Sequence, residues 1–180
     1  MGREVRRVPK DWQHPQKERD FSHPAVKPAY IPLLAGSFEQ DAREWQDGLA
    51  LWLTGFRRDF KDEADTVPIP PDHRLDVWGW IQWSGGQPQL EDYMPDWPEA
   101  ERTHLMMYED TSEGTPISPA FETPEELARW LTDNGASAFG GQTASYEGWL
   151  AVCRGAWAPS AVMRGGQMVS GVDFAAEQQP

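Results

Sequence analysis

The chain has 180 residues, a formal net charge of −13 and ten tryptophans, so it is long enough for one well-packed domain. Its single cysteine, Cys153, excludes an intramolecular disulfide and is typical of a reducing cytoplasm, and no stretch is apolar enough to cross a bilayer. Ten tryptophans predict either a tryptophan-built core or an exposed aromatic surface for binding.

The charge is distributed unevenly along the chain. Residues 1–30 contain seven Lys or Arg against four Asp or Glu, whereas residues 31–180 contain nine against 25. Because an acidic body repels the phosphates of DNA and RNA, we do not expect it to bind nucleic acid directly. The same charge favours association with a basic protein partner.

The first 35 residues are predicted to form an extended basic arm, and residues 36–180 a single domain. Five prolines fall in the arm, and each lacks a backbone donor and favours extended geometry in the residue before it. Its candidate contact residues are Arg6, Arg7, Trp12 and His14. Two placements remain open: the arm packs on its own chain through Val5, Val8 and Trp12, or it crosses to a second copy and forms a homodimer.

Two elements are predicted in the first half of the body. The segment 37–56 opens with the capping-box spacing of Ser37 and Gln40 and continues with apolar residues at steps of three and four, which predicts an amphipathic helix. The segment 75–93 opens with tryptophans that alternate about Gly79, which predicts a strand ending in turn residues at 84–86. The segment 57–74 between them is predicted to be a connecting loop.

The second half contains the remaining predicted elements. Residues 103–111 form a short apolar run that predicts a strand. Thr123 and Glu126 have the spacing of a capping box and predict a helix within 121–137, and a further helix is predicted from Ser145 to Gly155. The glycines at 165–166 predict the turn of a hairpin within 161–174. The order predicts an α+β fold, in which a small, mostly antiparallel sheet packs with about three helices.

No sequence pattern indicates a catalytic or metal site, and no cofactor is expected. None of the four histidines has a second His or Cys at a metal-ligand spacing. No serine stands in a nucleophile-elbow motif, and no glycine-rich loop carries the lysine of a nucleotide site. An enzymatic alternative remains open, in which His14 or His23 of the arm meets carboxylates of the body.

Acidic residues are the candidate partner-binding residues of the body. They are Glu91, Asp92, Asp96, Glu109, Asp110 and Glu113. Facing the Lys and Arg side chains of a basic partner, they would give fast, salt-sensitive association. The alternative is that these carboxylates form an ordinary solvated face.

The opening GREVRRVPKDWQHP, followed by YIPLL, resembles a group of small proteins of unassigned function encoded by tailed bacteriophages and prophages. The stretches SEGTPISPAFETPEELARWLTDNGAS, ASYEGWL and APSAVMRGGQMVSGVDF are similar in style to that group. The resemblance implies expression in the cytoplasm of an infected bacterium. It implies no catalytic residue.

Together these observations predict a non-enzymatic binding protein, in the form of an inhibitor of a bacterial defence system of the anti-CRISPR or DNA-mimic kind. Its partner would be a basic or nucleic-acid-handling protein of the host or the phage. The alternatives are a small hydrolase or nucleotide-modifying enzyme and a minor virion or assembly component. A binding protein predicts an exposed acidic or aromatic patch, whereas an enzyme predicts a pocket with a histidine and a carboxylate within hydrogen-bond reach.

Overall fold

The computed structural model describes residues 2–17, 29–62, 64–112 and 114–177. The chain forms two compact units. The sheet unit comprises Met1–Leu34 and Pro95–Pro180, and the inserted unit is the continuous segment Ala35–Met94. The segment predicted to be an arm therefore belongs to the same unit as the second half of the predicted body.

The described residues form five α-helices and eight short strands. In chain order they are β1 (Gly2–Val8), α1 (Phe38–Leu53), β2 (Phe56–Arg58), β3 (Thr66–Pro68), α2 (Val77–Ser84), β4 (His104–Glu109), β5 (Thr115–Pro116), α3 (Pro124–Asp133), α4 (Tyr146–Gly155), β6 (Trp157–Pro159), β7 (Ala161–Arg164), β8 (Gln167–Ser170) and α5 (Gly171–Glu177), with short 3-10 helices at Leu90–Asp92 and Asp110–Ser112. This is the predicted α+β fold, with antiparallel strand pairs and five α-helices where about three were expected.

The sheet of the sheet unit has the strand order β5-β4-β1-β6. Strand β1 is an interior strand, antiparallel to β4 from Arg3 opposite Glu109 to Val8 opposite His104, and antiparallel to β6 on its other side. Val8 is fully buried. The predicted extended arm over residues 1–35 is therefore not confirmed, because its first residues pair on both sides within this sheet.

The core of the sheet unit lies between the sheet and the helices α3, α4 and α5. Leu127 and Leu131 of α3, Trp149 and Val152 of α4 and Met107 of β4 are all fully buried there. Burying each such side chain stabilises the fold by about 1.5–3 kcal/mol. Burial raises the pKa of the neighbouring Cys153 thiol to about 12, which favours the protonated thiol.

Local signals in the sequence placed several of these elements correctly. Thr123 accepts a hydrogen bond from the Glu126 N–H at 3.2 Å, and the Glu126 carboxylate accepts one from the Thr123 N–H, so α3 begins with the predicted capping box. Helix α4 begins at its predicted cap, Ser145. The β7–β8 hairpin turns at Gly165 and Gly166, where the backbone φ angles are 57° and 81°.

The inserted unit contains α1, α2 and the β2–β3 hairpin. Helix α1 is capped as predicted by Ser37, which accepts a hydrogen bond from the Gln40 N–H. The predicted strand at 75–93 is wrong, because residues 77–84 form the helix α2. Asp76 caps this helix by accepting a hydrogen bond from the Gly79 N–H at 2.8 Å, and Gly85 ends it with a φ of 85°.

Tryptophans build the core of the inserted unit. Trp52 of α1 is fully buried, and its ring centroid lies 5.8 Å from that of Trp80 and 5.6 Å from that of Trp83, both on α2. Its indole N–H donates to the Arg74 carbonyl at 2.8 Å, so its polar atom is satisfied. The first of the two predicted roles for the tryptophans, a tryptophan-built core, is therefore found in this unit.

Candidate protein-binding surface

Large apolar side chains are exposed mainly on the inserted unit. In the described part of this unit they are Leu53, Phe56, Phe60, Leu75, Val77, Trp78, Trp83 and Leu90. Phe60 is 78% exposed and Trp78 is 65% exposed. The sheet unit is twice as long, and its described residues expose only Tyr30, Leu34, Trp157, Met163 and Met168. Exposed apolar side chains that lie close together are typical of an interaction surface, and Phe60 and Trp83 are in contact.

Arg57, Phe60 and Trp83 form a stacked group that we call the aromatic platform. The Phe60 and Trp83 ring centroids lie 5.9 Å apart, with an interplanar angle of 31°. The Arg57 guanidinium carbon lies 4.9 Å from the Phe60 centroid and 5.2 Å from the Trp83 centroid, in cation–π range of both rings. Because Trp83 also packs on the buried Trp52, the exposed rings are supported from beneath by the core of this unit.

Carboxylates are numerous around the platform. The segment Ala35–Met94 contains twelve Asp or Glu and five Lys or Arg, a net charge of −7. Asp59 and Asp62 lie on the same loop as Phe60, and their carboxylates accept the backbone N–H groups of Lys61 and Ala64. The platform is therefore a stack of two aromatic rings and one guanidinium in a unit with a negative net charge.

The predicted partner-binding carboxylates are distributed over both units of the chain. Glu91 and Asp92 are exposed in the inserted unit, on the 3-10 helix that also carries the exposed Leu90. Asp96 is exposed in the sheet unit. Glu113 lies outside the described residues.

The remaining two, Glu109 and Asp110, bond to residues of other strands of the sheet. Glu109 pairs at 2.9 Å with Arg3, whose side chain is only 3% exposed. Asp110 accepts hydrogen bonds from the Gly2 N–H and from the Trp157 indole N–H. Burial acts to raise the pKa of Asp110, but these hydrogen bonds together with nearby positive charge, including that of Arg3, outweigh it, so the pKa is lowered. Both acids thus have structural partners within the chain.

The predicted contact residue Arg6 also has its partners within the sheet unit. Its Nε lies 2.9 Å from the Glu4 carboxylate, and its Nη1 donates to the Leu33 carbonyl at 2.5 Å. The guanidinium carbon lies 4.4 Å above the Tyr108 ring. Arg7, one residue further along β1, is exposed. Arg6 therefore links β1 to Leu33 and to Tyr108 of β4.

Trp12 and His14 line a cleft of about 980 Å³ in the sheet unit. His14 is 6% exposed; its Nε2 lies 2.6 Å from the Ile31 carbonyl oxygen and its Nδ1 lies 3.3 Å from the Tyr108 hydroxyl. Burial lowers the pKa of His14 below its usual 6.5, against the opposite effect of the hydrogen bond to Ile31. Because the Ile31 carbonyl can only accept, Nε2 carries the donated proton, and Nδ1 faces the Tyr108 hydroxyl, which also lies 3.3 Å from Met106 Sδ.

This geometry does not match the enzymatic alternative. Both nitrogens of His14 are occupied, and neither of these hydrogen bonds goes to a carboxylate. His23, the other histidine proposed for that role, lies outside the described residues. Among the described residues, no group of three His, Cys, Asp or Glu side chains could hold a metal ion.

The aromatic platform is not among the features predicted from the sequence. Arg57 and Phe60 fall in the stretch that was predicted to be a connecting loop, and Trp83 in the stretch that was predicted to be a strand. A signal for Phe60 was present, because it is an isolated aromatic residue among the charged residues of RRDFKDEAD.

In the described parts of the chain, no helix combines the length and apolar character that a membrane span needs.

Comparison of this chain with protein-family models, with curated proteins and with solved structures gave no match.

Proposed function

We propose that this chain is a non-enzymatic protein that binds a basic protein partner through its inserted unit, with the aromatic platform as the anchor. The observation that carries the proposal is the 78% exposure of Phe60 on a ring stack supported by buried Trp52. A rigid exposed aromatic group loses little conformational entropy on binding, and aromatic and Arg side chains dominate the energetics of most protein interfaces.

The charge of the inserted unit determines the chemistry of the partner. A net charge of −7 on Ala35–Met94 favours a partner that presents Lys and Arg around an apolar side chain. Glu91 and Asp92, which are exposed beside Leu90, are the predicted carboxylates that fit this role. Complementary charge gives rapid association that weakens as salt screens it.

The resemblance to tailed-phage proteins supports a partner that is present in an infected bacterium. In this form of the proposal the chain inhibits a bacterial defence system by occupying a basic, nucleic-acid-handling protein of the host. Acidic carboxylates then stand where nucleic-acid phosphates would otherwise bind.

The test is capture of partners from infected-host lysate on the immobilised full chain, followed by titration of the purified partner. We expect one basic protein to be recovered at low salt and lost at high salt. Phe60→Ala should weaken its binding by more than about tenfold, because an anchor residue at an interface contributes more than ~1.4 kcal/mol. Met163→Ala is the matched control, because Met163 is similarly exposed but lies in the sheet unit. Equal binding by the wild type and Phe60→Ala would refute the proposal.

A further inference from the structure

The cleft of the sheet unit carries a second proposal, which goes beyond the platform and its partner. We propose that this cleft binds an uncharged, extended, proline-containing segment of another protein. One wall carries Trp12 and Tyr30, and Trp130 also lines the cleft. The segment Pro116–Ala120 forms another wall, with two rigid prolines. Grooves lined by aromatic rings are the typical docking sites of polyproline II segments, whose conformation is already extended before binding.

The charge of the described lining favours an uncharged ligand. Among the described residues that line the cleft, Lys10 is the only Lys or Arg and Asp11 the only Asp or Glu, so these two charges offset each other. The third ionisable side chain, His14, has both ring nitrogens occupied within the chain. A phosphate or a run of carboxylates would therefore find only one cation in the cleft, whereas an uncharged segment matches it.

The backbone of the Pro116–Ala120 wall favours a polyproline II segment over an added β-strand. Pro116 and Pro119 have no N–H, and the Ile117 N–H donates to the Met107 carbonyl at 2.8 Å. An added strand needs an unbroken row of free backbone donors, and Pro116, Ile117 and Pro119 interrupt such a row here. A polyproline II segment uses side-chain donors and apolar contact instead, and the exposed amides of Gln13 and Gln16 supply donors at the cleft.

The aromatic wall is fixed before any ligand arrives. The Trp12 indole N–H donates to the Tyr108 hydroxyl at 3.2 Å, and the Trp12 ring packs edge-on against Trp97 at a centroid distance of 4.7 Å. The Tyr30 ring packs edge-on against His14 at 5.6 Å. His14 is thus a positioning residue for this wall, and the fixed rings lower the entropic cost of binding.

The test is a titration of the full chain with two synthetic uncharged peptides. One peptide contains two Pro-x-x-Pro repeats, and the matched peptide has Ala at every Pro. We expect saturable binding of the first peptide alone, with NMR shift changes confined to residues 10–16, 30, 116–120 and 130. Tyr30→Ala should weaken binding by about tenfold, whereas Tyr30→Phe should preserve it.

Two further variants separate this proposal from the platform proposal and test the cleft directly. Phe60→Ala should bind the proline peptide like the wild type, so the failure of this proposal is distinguishable from the failure of the platform proposal. Pro119→Glu, at an exposed position on the cleft wall, should abolish binding without touching the Tyr30 ring. Equal binding of the two peptides, no saturation at millimolar peptide, or saturation of the same residues by a neutral oligosaccharide instead of the peptide would overturn the proposal.

Discussion

The two units bury tryptophan alike but differ in how much large apolar surface they expose. Each contains five of the ten tryptophans, and each buries one completely, Trp149 in the sheet unit and Trp52 in the inserted unit. The inserted unit is half as long, yet its described residues expose eight large apolar side chains against five in the sheet unit. The exposed side chains proposed to bind the basic partner are therefore distinct from the buried ones that stabilise the fold, so substitutions can separate the two effects.

The largest effect on stability is expected from Trp149→Ala in the core of the sheet unit. Removing this fully buried ring leaves a cavity, and the free energy of unfolding should fall by about 3–5 kcal/mol. Trp78→Ala is the matched control; because Trp78 is exposed, it should change stability by no more than about 0.5 kcal/mol. Urea unfolding followed by circular dichroism measures both, and equal losses would contradict the contrast between the units.

A smaller loss is expected from Glu109→Gln, which removes the carboxylate that pairs directly with the buried Arg3 guanidinium. We expect a decrease of about 1–3 kcal/mol, below the cost for a fully buried pair because Glu109 is 32% exposed and water partly replaces it. The control is Glu99→Gln, which removes an exposed pair with Arg102 and should cost less than about 1 kcal/mol. If the two variants unfold at the same urea concentration, Glu109 is not a structural residue.

In the inserted unit, Gly79→Ala should destabilise the fold, although alanine usually stabilises a helix relative to glycine. Alanine normally stabilises a helix interior by ~1 kcal/mol relative to glycine. A Cβ at position 79 would lie only 1.9 Å from the Arg74 carbonyl oxygen, so we expect a loss of about 1–3 kcal/mol instead. Gly155→Ala, with no atom within 4 Å of its added Cβ, should show no loss. Thermal unfolding of the two variants checks the sign.

The smallest effect is the pH dependence contributed by His14. Its pKa is lowered in the folded state relative to 6.5, so the unfolded chain binds more protons in the interval between the two values. Stability should therefore be complete above 6.5 and should decrease as the pH falls through the folded pKa. His14→Gln should flatten this part of the stability curve in urea titrations. A curve that keeps its slope in His14→Gln would assign the effect elsewhere.

Elements with local signals were predictable from the sequence. The caps at Ser37, Thr123 and Ser145 are short-range hydrogen bonds, so a few neighbouring residues determine them. Helix α2 was not predictable in the same way, because six of its eight residues are apolar or glycine, and such a short run is compatible with both the helical and the strand periodicity. Its Asp76 cap and its Gly85 end were the signals that could have identified it.

Strand β1 shows why non-local structure could not be predicted. It contains three arginines, and two of them, Arg3 and Arg6, are buried. A buried Arg is compatible with an interior strand only because Glu109, Leu33 and Tyr108 supply partners, and these residues lie far along the chain. The aromatic platform could not be predicted for the same reason, because it depends on residues that are distant in the sequence. Phe60 and Trp83 come into contact only when α2 forms and packs on Trp52.

The interior position of β1 has a consequence for the order in which the chain acquires its structure during synthesis. Its two neighbours, β4 and β6, emerge from the ribosome about a hundred residues or more after it, so the sheet cannot close until Trp157–Pro159 has been translated. The inserted unit is continuous, and all of its own elements are available once Met94 is out. A nascent chain arrested between those points should already protect the Trp52 region from proteolysis while Gly2–Val8 still lacks its strand neighbours.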